Sequence, residues 1–177
     1  MARIDKYNRE HAPAPTGHFM THIGRLFFAD VPLVAVATAT TVDIGILTDA
    51  THEAHLCVHA KANQGIQTLS LIEAPTGVTG GSAITPTQKN RNSAISATTV
   101  IKNGVTGTTG GTTLPLPRIL AASEVDLSGQ RPESEFVLKA NTQYVLRVVT
   151  GALGTNELDF EMEWYENVGQ GVDKSQG

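Results

Sequence analysis

In the segment ELDFEMEWYE, residues 157 to 166, acidic and apolar side chains alternate with a period of two over the first eight residues. Successive side chains of a β-strand point to opposite faces, so this pattern predicts a strand with one buried face and one solvated face. The buried face would carry Leu158, Phe160, Met162 and Trp164, and the solvated face would carry Asp159, Glu161 and Glu163. A helix would distribute both sets around its axis, so the pattern indicates a β-protein.

Two segments upstream also have strand character. In QYVLRVVT, residues 143 to 150, the apolar side chains Tyr144, Leu146 and Val148 alternate with other positions, and SEFVLK, residues 134 to 139, has strand composition. The connecting segments ANT and GALGTN are short and contain Asn or Gly, which are typical of turns between neighbouring strands. The three segments therefore predict an antiparallel meander.

Earlier parts of the chain predict further short strands. Val, Ile and Thr dominate residues 31–47, and apolar side chains recur in residues 51–62 and 66–74. Residues 73–117 are rich in Gly, Thr, Asn and Pro, so we expect long loops there, with a strand at residues 95–102. No segment has the periodicity of an amphipathic helix. The expected fold is all-β: an antiparallel β-sandwich, jelly-roll-like, with about eight strands.

The length of 177 residues suits one domain. Residues 1–30 are expected to form an extended N-terminal arm, because HAPAPTGH carries two closely spaced prolines that exclude a helix. Residues 31–166 would form the sandwich, and residues 167–177 a flexible tail. The apolar stretch at residues 26–39 is interrupted by an Asp and a Pro, so we expect a buried strand there and not a secretory signal.

Composition argues against several partner classes. The net charge is −4 and no basic stripe is present, so the sequence predicts no nucleic-acid binding. No apolar run reaches the roughly 20 residues that a membrane-spanning helix needs, so no membrane partner is expected. Cys57 is the only cysteine, which excludes a disulfide within the chain and is typical of folding in a reducing compartment.

The segment THEAHLCVHA, residues 51 to 60, raises the question of a metal site. On a strand, His55, Cys57 and His59 share one face and are chemically suited to zinc or copper, as in a cupin. Neighbours on one strand face are about 6.5–7 Å apart, from a rise of about 3.3 Å per residue, so a third ligand would be strained to reach. Leu56 and Val58 make the better core face. We therefore expect no metal and no cofactor, and a histidine row that faces solvent or a partner.

Other catalytic signatures are weak. The acidic row at Asp159, Glu161 and Glu163 has carboxylates, but glycoside hydrolysis needs two of them about 5–9.5 Å apart across a cleft. A solvated strand face is the simpler interpretation. The stretch GVTGTTGGTT lacks the spacing of a phosphate-binding loop, and no local signature supports a Ser-His-Asp set. We expect the protein not to be an enzyme.

Three segments together resemble a family of tailed-bacteriophage virion proteins. They are LIEAPTGVTGGSAITPTQKNRNSA, SEFVLKANTQYVLRVV and DFEMEWYE, at residues 71–94, 134–149 and 159–166. In that family a strand ending in a Glu-x-Pro-Thr-like turn leads into an Asn- and Arg-rich loop, and a hairpin and a closing strand ending in Trp-Tyr-Glu or similar follow. The resemblance spans roughly residues 66 to 166 and departs at Ala140, where the family pattern has proline.

The resemblance implies a non-enzymatic capsid decoration, or cement, protein. Such a protein would bind the major capsid protein, form a dimer or trimer, and lie on the virion surface after synthesis in the host bacterial cytoplasm. Candidate contact residues in the arm and the first strand are Arg3, Lys6, Tyr7, Arg9, Phe19, Arg25 and Phe27. Two alternatives stay open: a tail or fibre module that binds host-surface carbohydrate through exposed aromatic rings, and a cupin-like metalloenzyme that uses His55, Cys57 and His59.

Overall fold

The computed structural model describes residues 20–62, 67–116, 123–126, 135–151 and 156–168. These residues form two antiparallel sheets that pack face to face, so the predicted all-β sandwich is confirmed. Within the described ranges, no helix is long and apolar enough to cross a membrane.

The twelve strands of the described residues are, in chain order, β1 (Leu26–Val36), β2 (Thr41–Leu47), β3 (His52–Ala62), β4 (Thr68–Glu73), β5 (Thr79–Ile84), β6 (Thr87–Gln88), β7 (Val100–Thr106), β8 (Thr112–Pro115), β9 (Ser123–Asp126), β10 (Phe136–Leu138), β11 (Gln143–Val149) and β12 (Asn156–Val168). Sheet one has the order β10-β3-β12-β1-β6, with β9 also paired to β3. Sheet two has the order β5-β7-β2-β11-β4-β8.

The strand order is that of a jelly roll. In sheet one, β12 lies between β1 and β3, and in sheet two, β11 lies between β2 and β4. The chain therefore alternates between the sheets, and the last two long strands insert between strands from the first half of the chain. This is the two-sheet, Greek-key arrangement that defines a jelly roll.

The segment between β4 and β8 is an insertion that extends both sheets at one side of the sandwich. β7 pairs with β2 and β5 pairs with β7, which widens sheet two, whereas β6 pairs with β1 in sheet one. The prediction of long loops at residues 73–117 is therefore wrong in part. The expected strand at 95–102 instead spans Val100–Thr106. Its continuation passes through Gly104, whose positive φ of 72° produces a bulge that composition alone does not reveal.

The three C-terminal strands exist as predicted, but they do not form a meander. β10 and β12 both belong to sheet one without pairing with each other, and β11 belongs to sheet two. Turn residues signal that the chain reverses, but they do not specify the sheet that the next strand joins. The crossing from β10 to β11 is secured by Tyr144, whose hydroxyl oxygen accepts a bond from the Lys139 backbone nitrogen at 3.0 Å and lies 3.3 Å from a Glu73 carboxylate oxygen.

The packed body begins before the predicted boundary at residue 31. β1 starts at Leu26, and residues 20–22 are helical and place Met20 against Leu26 and Tyr165 in a small apolar cluster. β12 continues to Val168, so the body also extends two residues into the predicted C-terminal tail. The rest of the arm, residues 1–19, and the rest of the tail, residues 169–177, lie outside the described residues.

The core lies between the sheets and follows the period-two pattern. The predicted row of β12 lies in this core, and its Phe160 and Trp164, at 0% and 1% exposure, are among the largest fully buried side chains. Phe27 packs on Trp164, with ring centroids 6.0 Å apart. Sheet two contributes Ile44, Ile46, Leu69, Ile101, Tyr144 and Leu146. Burying an aliphatic or aromatic side chain of this size stabilises the fold by about 1.5–3 kcal/mol.

Candidate functional site

The histidine row lies on the outer face of sheet one, as the alternation predicts. Along β3, Ala54, Leu56, Val58 and Ala60 are buried, whereas the side chains at 55, 57 and 59 are partly exposed. β12 covers one side of β3 along its length, and β9 and β10 pair with its other side. The row is therefore at the centre of a broad sheet face and not at an edge.

His55 is held in a hydrogen-bonded group with Glu135 and Tyr165. Its Nδ1 lies 2.7 Å from Glu135 Oε1, and the Tyr165 hydroxyl donates to the same oxygen at 2.7 Å. The His55 and Tyr165 rings stack, with centroids 4.4 Å apart. Burial, together with the Glu135 carboxylate, raises the pKa of the Tyr165 phenol. This group fixes the segment that leads into β10 against the outer face of β3.

The histidine row does not form a metal site in the described part of the chain. Among those residues, no group of three or more His, Cys, Asp or Glu side chains is placed to hold a metal ion. The row of His55, Cys57 and His59 is spread along one strand, and the first of these imidazoles is engaged by Glu135. A cupin needs inward-facing ligands, whereas these side chains leave the outer face of the sandwich.

His59 lies beside a cluster of charged side chains that the sequence did not reveal. Glu161 lies opposite His59 in the register, and Asp159 lies opposite Lys61. These four residues line an open cavity of about 150 Å³. On the other side of β12, Asp30 of β1 lies opposite Glu161, and the neighbouring Pro32 position lies opposite Asp159. Burial, and then the hydrogen bond and charge of Asp30, raise the pKa of Asp159.

The acidic side chains of β12 thus lie on a solvated strand face, and one of them forms an ion pair. Glu163 forms an ion pair with Lys89, which comes from the inserted segment beside β6. Lys89 also lies 5.9 Å from the centre of the Phe28 ring. The row lies on a sheet surface beside strand neighbours, and not on two walls of a cleft as glycoside hydrolysis requires.

Glu166 is a buried carboxylate that sequence reasoning did not single out. It is 3% exposed and accepts bonds from the backbone nitrogens of Thr98 and Thr99, from the Thr98 hydroxyl at 2.8 Å and from the Trp164 indole at 3.1 Å. Burial alone would raise the pKa of Glu166, but these hydrogen bonds outweigh it and lower that pKa. Glu166 therefore fastens the inserted segment to β12.

The proposed contact residues separate into three groups. Phe27 was expected on a contact surface, but it is 1% exposed and packs in the core, so that expectation is wrong. Arg25 is half-buried, and its guanidinium donates to the Glu166 carbonyl at 3.3 Å. The remaining candidates, Arg3, Lys6, Tyr7, Arg9 and Phe19, lie outside the described residues.

Two exposed isoleucines, Ile23 and Ile95, lie beside the start of β1, and we call them the isoleucine patch. They are 40% and 45% exposed. Gln88 holds their segments together, because its Nε2 donates to the carbonyls of Gly24 and Ile95 at 2.7 Å each. An open cavity of about 360 Å³ adjoins Ile95 and is also lined by Phe27, Thr85, Pro86, Arg91, Ser93 and Ala97.

The outer face of sheet two is organised around one ion pair. Arg147 Nε and Nη2 donate to the two carboxylate oxygens of Asp43 at 2.8 and 2.7 Å. Burial opposes ionisation of Asp43, but the hydrogen bond and charge of Arg147 outweigh it and lower the pKa of Asp43. Leu47 and Val100 lie opposite each other on the same face and are 44% and 39% exposed.

No protein-family model matches this chain, and no curated protein matches its sequence. The jelly roll is shared by viral capsid proteins, lectins and cupins. Since one fold hosts many functions, the function has to be argued from the surfaces of the molecule.

Proposed function

We propose that this protein is a non-enzymatic bacteriophage virion protein that decorates and stabilises the capsid by binding the major capsid protein. The observation that carries the proposal is the combination of a jelly-roll body with the phage-like segments, which supply half of β4, all of β5, β6, β10 and β11, and most of β12. Those segments lie in both sheets and in the insertion, so the resemblance is not confined to one local motif.

The isoleucine patch is the surface that we assign to the capsid contact. Ile23 lies close in the chain to Met20, the first residue that the structure describes. Exposed aliphatic side chains that become buried contribute about 25 cal/mol per Å² of apolar surface removed from water. An arm adds contact area at the cost of ordering its residues. Many copies on a symmetric shell make modest single contacts effective.

Addition of the purified protein to capsids that lack it tests the proposal. We expect saturable binding by co-sedimentation and a higher melting temperature of the capsid. The double variant Ile23→Ser/Ile95→Ser should bind more weakly and still fold. Val137→Ser is the matched control, because Val137 is 55% exposed but is paired to β3 at the other side of sheet one. Absence of any binding by the unaltered protein would refute the proposal.

The arm is tested separately by charge reversal. Replacement of Arg3, Lys6 and Arg9 by Glu should weaken capsid binding and make it less sensitive to salt, because surface charge contacts are screened by ions. We further propose that the protein is a homo-oligomer, a dimer or trimer, on the virion surface, and that it is made in the host bacterial cytoplasm. Sedimentation of the free protein measures the oligomeric state.

Carbohydrate binding by a tail or fibre module is the alternative. Sugars stack on exposed aromatic rings, whereas the large apolar side chains that are exposed in the described ranges are all aliphatic. A glycan array decides between the two: micromolar binding, together with no binding to capsids, would favour the tail module. Elemental analysis of the purified protein addresses the cupin-like alternative, since stoichiometric metal that is lost on His55→Ala would support it.

A further inference from the structure

Asn103 is followed directly by Gly104, and this is the one Asn-Gly step in the sequence. At such a step the backbone nitrogen of the glycine can attack the side-chain amide carbon of the asparagine, because glycine has no side chain that shields its nitrogen. Asn-Gly steps are typical of tight turns between strands. Here the step lies inside β7, so its reactivity depends on how this strand holds it.

Gly104 lies outside the pairing on both sides of β7. Toward β2, Ile44 lies opposite Asn103 and Asp43 lies opposite Val105, so Gly104 is an extra residue without a counterpart. Toward β5, the pairing is also interrupted at Gly104 among the described residues. The extra residue of a bulge is left unpaired and the ladder is locally disrupted. The peptide group between Asn103 and Gly104 is therefore held less firmly than its neighbours in the strand.

The same peptide group is accessible. Gly104 is exposed and Asn103 is half-buried. Apart from the two chain neighbours of Gly104, no atom of the described residues lies within 4 Å of the position that a Cβ there would occupy. Glycine adopts the φ of 72° without strain. Water and hydroxide can thus reach the peptide nitrogen, and no neighbouring side chain fills the space beside it.

We propose that Asn103 is a site of spontaneous deamidation, with water as the co-reactant. Hydroxide removes the amide proton of Gly104, whose nitrogen then forms a bond to Cγ of Asn103. The bond from Cγ to the side-chain nitrogen breaks, and that nitrogen takes up a proton and leaves as ammonia. Water opens the resulting succinimide ring at either carbonyl. The products are aspartate and isoaspartate at position 103, and no group is oxidised or reduced.

Deamidation weakens the side of sheet two at which β7 supports β5. Isoaspartate lengthens the main chain by one methylene group, so β7 can no longer keep its register with both neighbours. Either product also adds a negative charge opposite Ile44, which is 0% exposed, and a charge near an apolar core is unfavourable without a partner. In the described part of the chain, β7 is the one strand paired with β5. Opening of β5 therefore increases as the modification accumulates with time.

Incubation of the full chain at mildly alkaline pH tests the site. We expect the peptide that contains residues 103 and 104 to gain the mass of an exchange of NH for O, and an isoaspartate-specific methyltransferase to label it. The rate should rise with pH, since hydroxide removes the proton. Asn92, which is exposed but is followed by Ser93, is the internal control and should react more slowly. Faster reaction at Asn92, or an unmodified Asn103 after the urea-unfolded chain has reacted fully, would overturn the proposal.

Two variants test the chemistry of the step. Asn103→Gln keeps a side-chain amide but places it one methylene group further from the backbone, so isoaspartate at this position should be lost. Gly104→Ala fits the open space and shields the nitrogen. It should slow the reaction by at least about tenfold, which corresponds to a barrier about 1.4 kcal/mol higher. An unchanged rate in Gly104→Ala would show that the nitrogen of residue 104 is not the attacking group.

Hydrogen exchange of fresh and aged protein tests the consequence for the sheet. We expect residues 79–84 of β5 to lose protection on ageing, whereas residues 158–166 of β12, in the other sheet, should keep it. Asn103→Gln that has been aged in the same way is the matched control and should retain the protection of β5. Full protection of β5 in the aged, deamidated protein would refute the loosening of this edge.

Discussion

The indole Nε1 of Trp164 donates a hydrogen bond of 3.1 Å to the carboxylate of Glu166, two residues further along β12. Both side chains are buried, and the same carboxylate accepts hydrogen bonds from the backbone nitrogens of Thr98 and Thr99. One carboxylate thus joins the core aromatic residue, the closing strand and the part of the inserted segment that directly precedes β7.

Glu166→Ala should destabilise the protein strongly. The substitution leaves the indole and two backbone N–H groups without their acceptor, and an unsatisfied buried polar group costs about 1–3 kcal/mol. We expect the free energy of unfolding to fall by at least about 2 kcal/mol on that basis, measured by urea denaturation. Glu157→Ala, an exposed position on the same strand, should change it by less than about 0.5 kcal/mol. Equal effects of the two substitutions would contradict this role of Glu166.

Acid should remove the contribution of Glu166. The pKa of Glu166 is lower in the folded than in the unfolded chain, so its stabilising effect is present above the unfolded value of about 4.3 and is lost as the pH falls through the folded value. Urea denaturation over a pH series should therefore show a steeper loss of stability in acid for the unaltered protein than for Glu166→Gln. Parallel curves would show that the carboxylate has no shifted pKa in the folded state.

The Asp43–Arg147 pair should be strongly non-additive. Arg147→Met leaves a carboxylate that is 7% exposed without its bidentate partner, and loss of a charged hydrogen bond costs about 1.5–3 kcal/mol. Asp43→Asn/Arg147→Met should be less destabilised than the sum of the single variants. A double-mutant cycle measures the coupling. A coupling energy near zero would show that the pair is a surface contact without energetic weight.

Two glycines with similar backbone conformations should respond differently to alanine. Gly111 has a φ of 83°, and a Cβ there would lie 2.7 Å from the Glu73 carbonyl oxygen, whereas Gly104 has a φ of 72° and open space around that position. Gly104→Ala should cost only the left-handed backbone penalty of about 1–2 kcal/mol. Gly111→Ala adds a steric clash, which typically costs about 1–3 kcal/mol more. Thermal denaturation of both variants measures the difference, and a smaller effect at Gly111 would contradict the geometry of this turn.

Phe27→Ala should behave as a core substitution. Removal of its ring leaves a cavity next to Trp164, and substitutions of this kind cost about 3–5 kcal/mol. Phe28→Ala, at the half-exposed neighbouring position, should cost clearly less. Chemical denaturation of the two variants makes the comparison. A larger loss of stability for Phe28→Ala than for Phe27→Ala would contradict the core position of Phe27.

Local alternation in the sequence determined the inward and outward faces of the strands that it identified. The faces of β12 and β3 follow directly from residues 157–166 and 51–60, because a period of two is a property of the extended backbone itself. The same pattern was sufficient to predict an all-β sandwich. It also placed the histidine row on the outer face, since Leu56 and Val58 occupy the alternate positions.

The identity of each strand's neighbours was decided only in three dimensions. The meander prediction failed because β10, β11 and β12 each pair with strands from the first half of the chain. The insertion contributes β5, β6 and β7, although its Gly- and Thr-rich composition resembles loops, because edges of existing sheets supply the hydrogen-bond partners. At such positions, the surrounding structure influences strand formation more strongly than the β-propensity of the residues does.

The polar contacts between distant residues were also decided only by the tertiary structure. His55 and Glu135 are 80 positions apart, and Asp43 and Arg147 are 104 positions apart. Asp30 lies opposite Glu161 only because the last strand inserts between β1 and β3. The sequence by itself determined which side chains leave each recognised strand on the same face. Only the tertiary structure decided which faces and charges meet, because strand pairing between distant segments has no local signature.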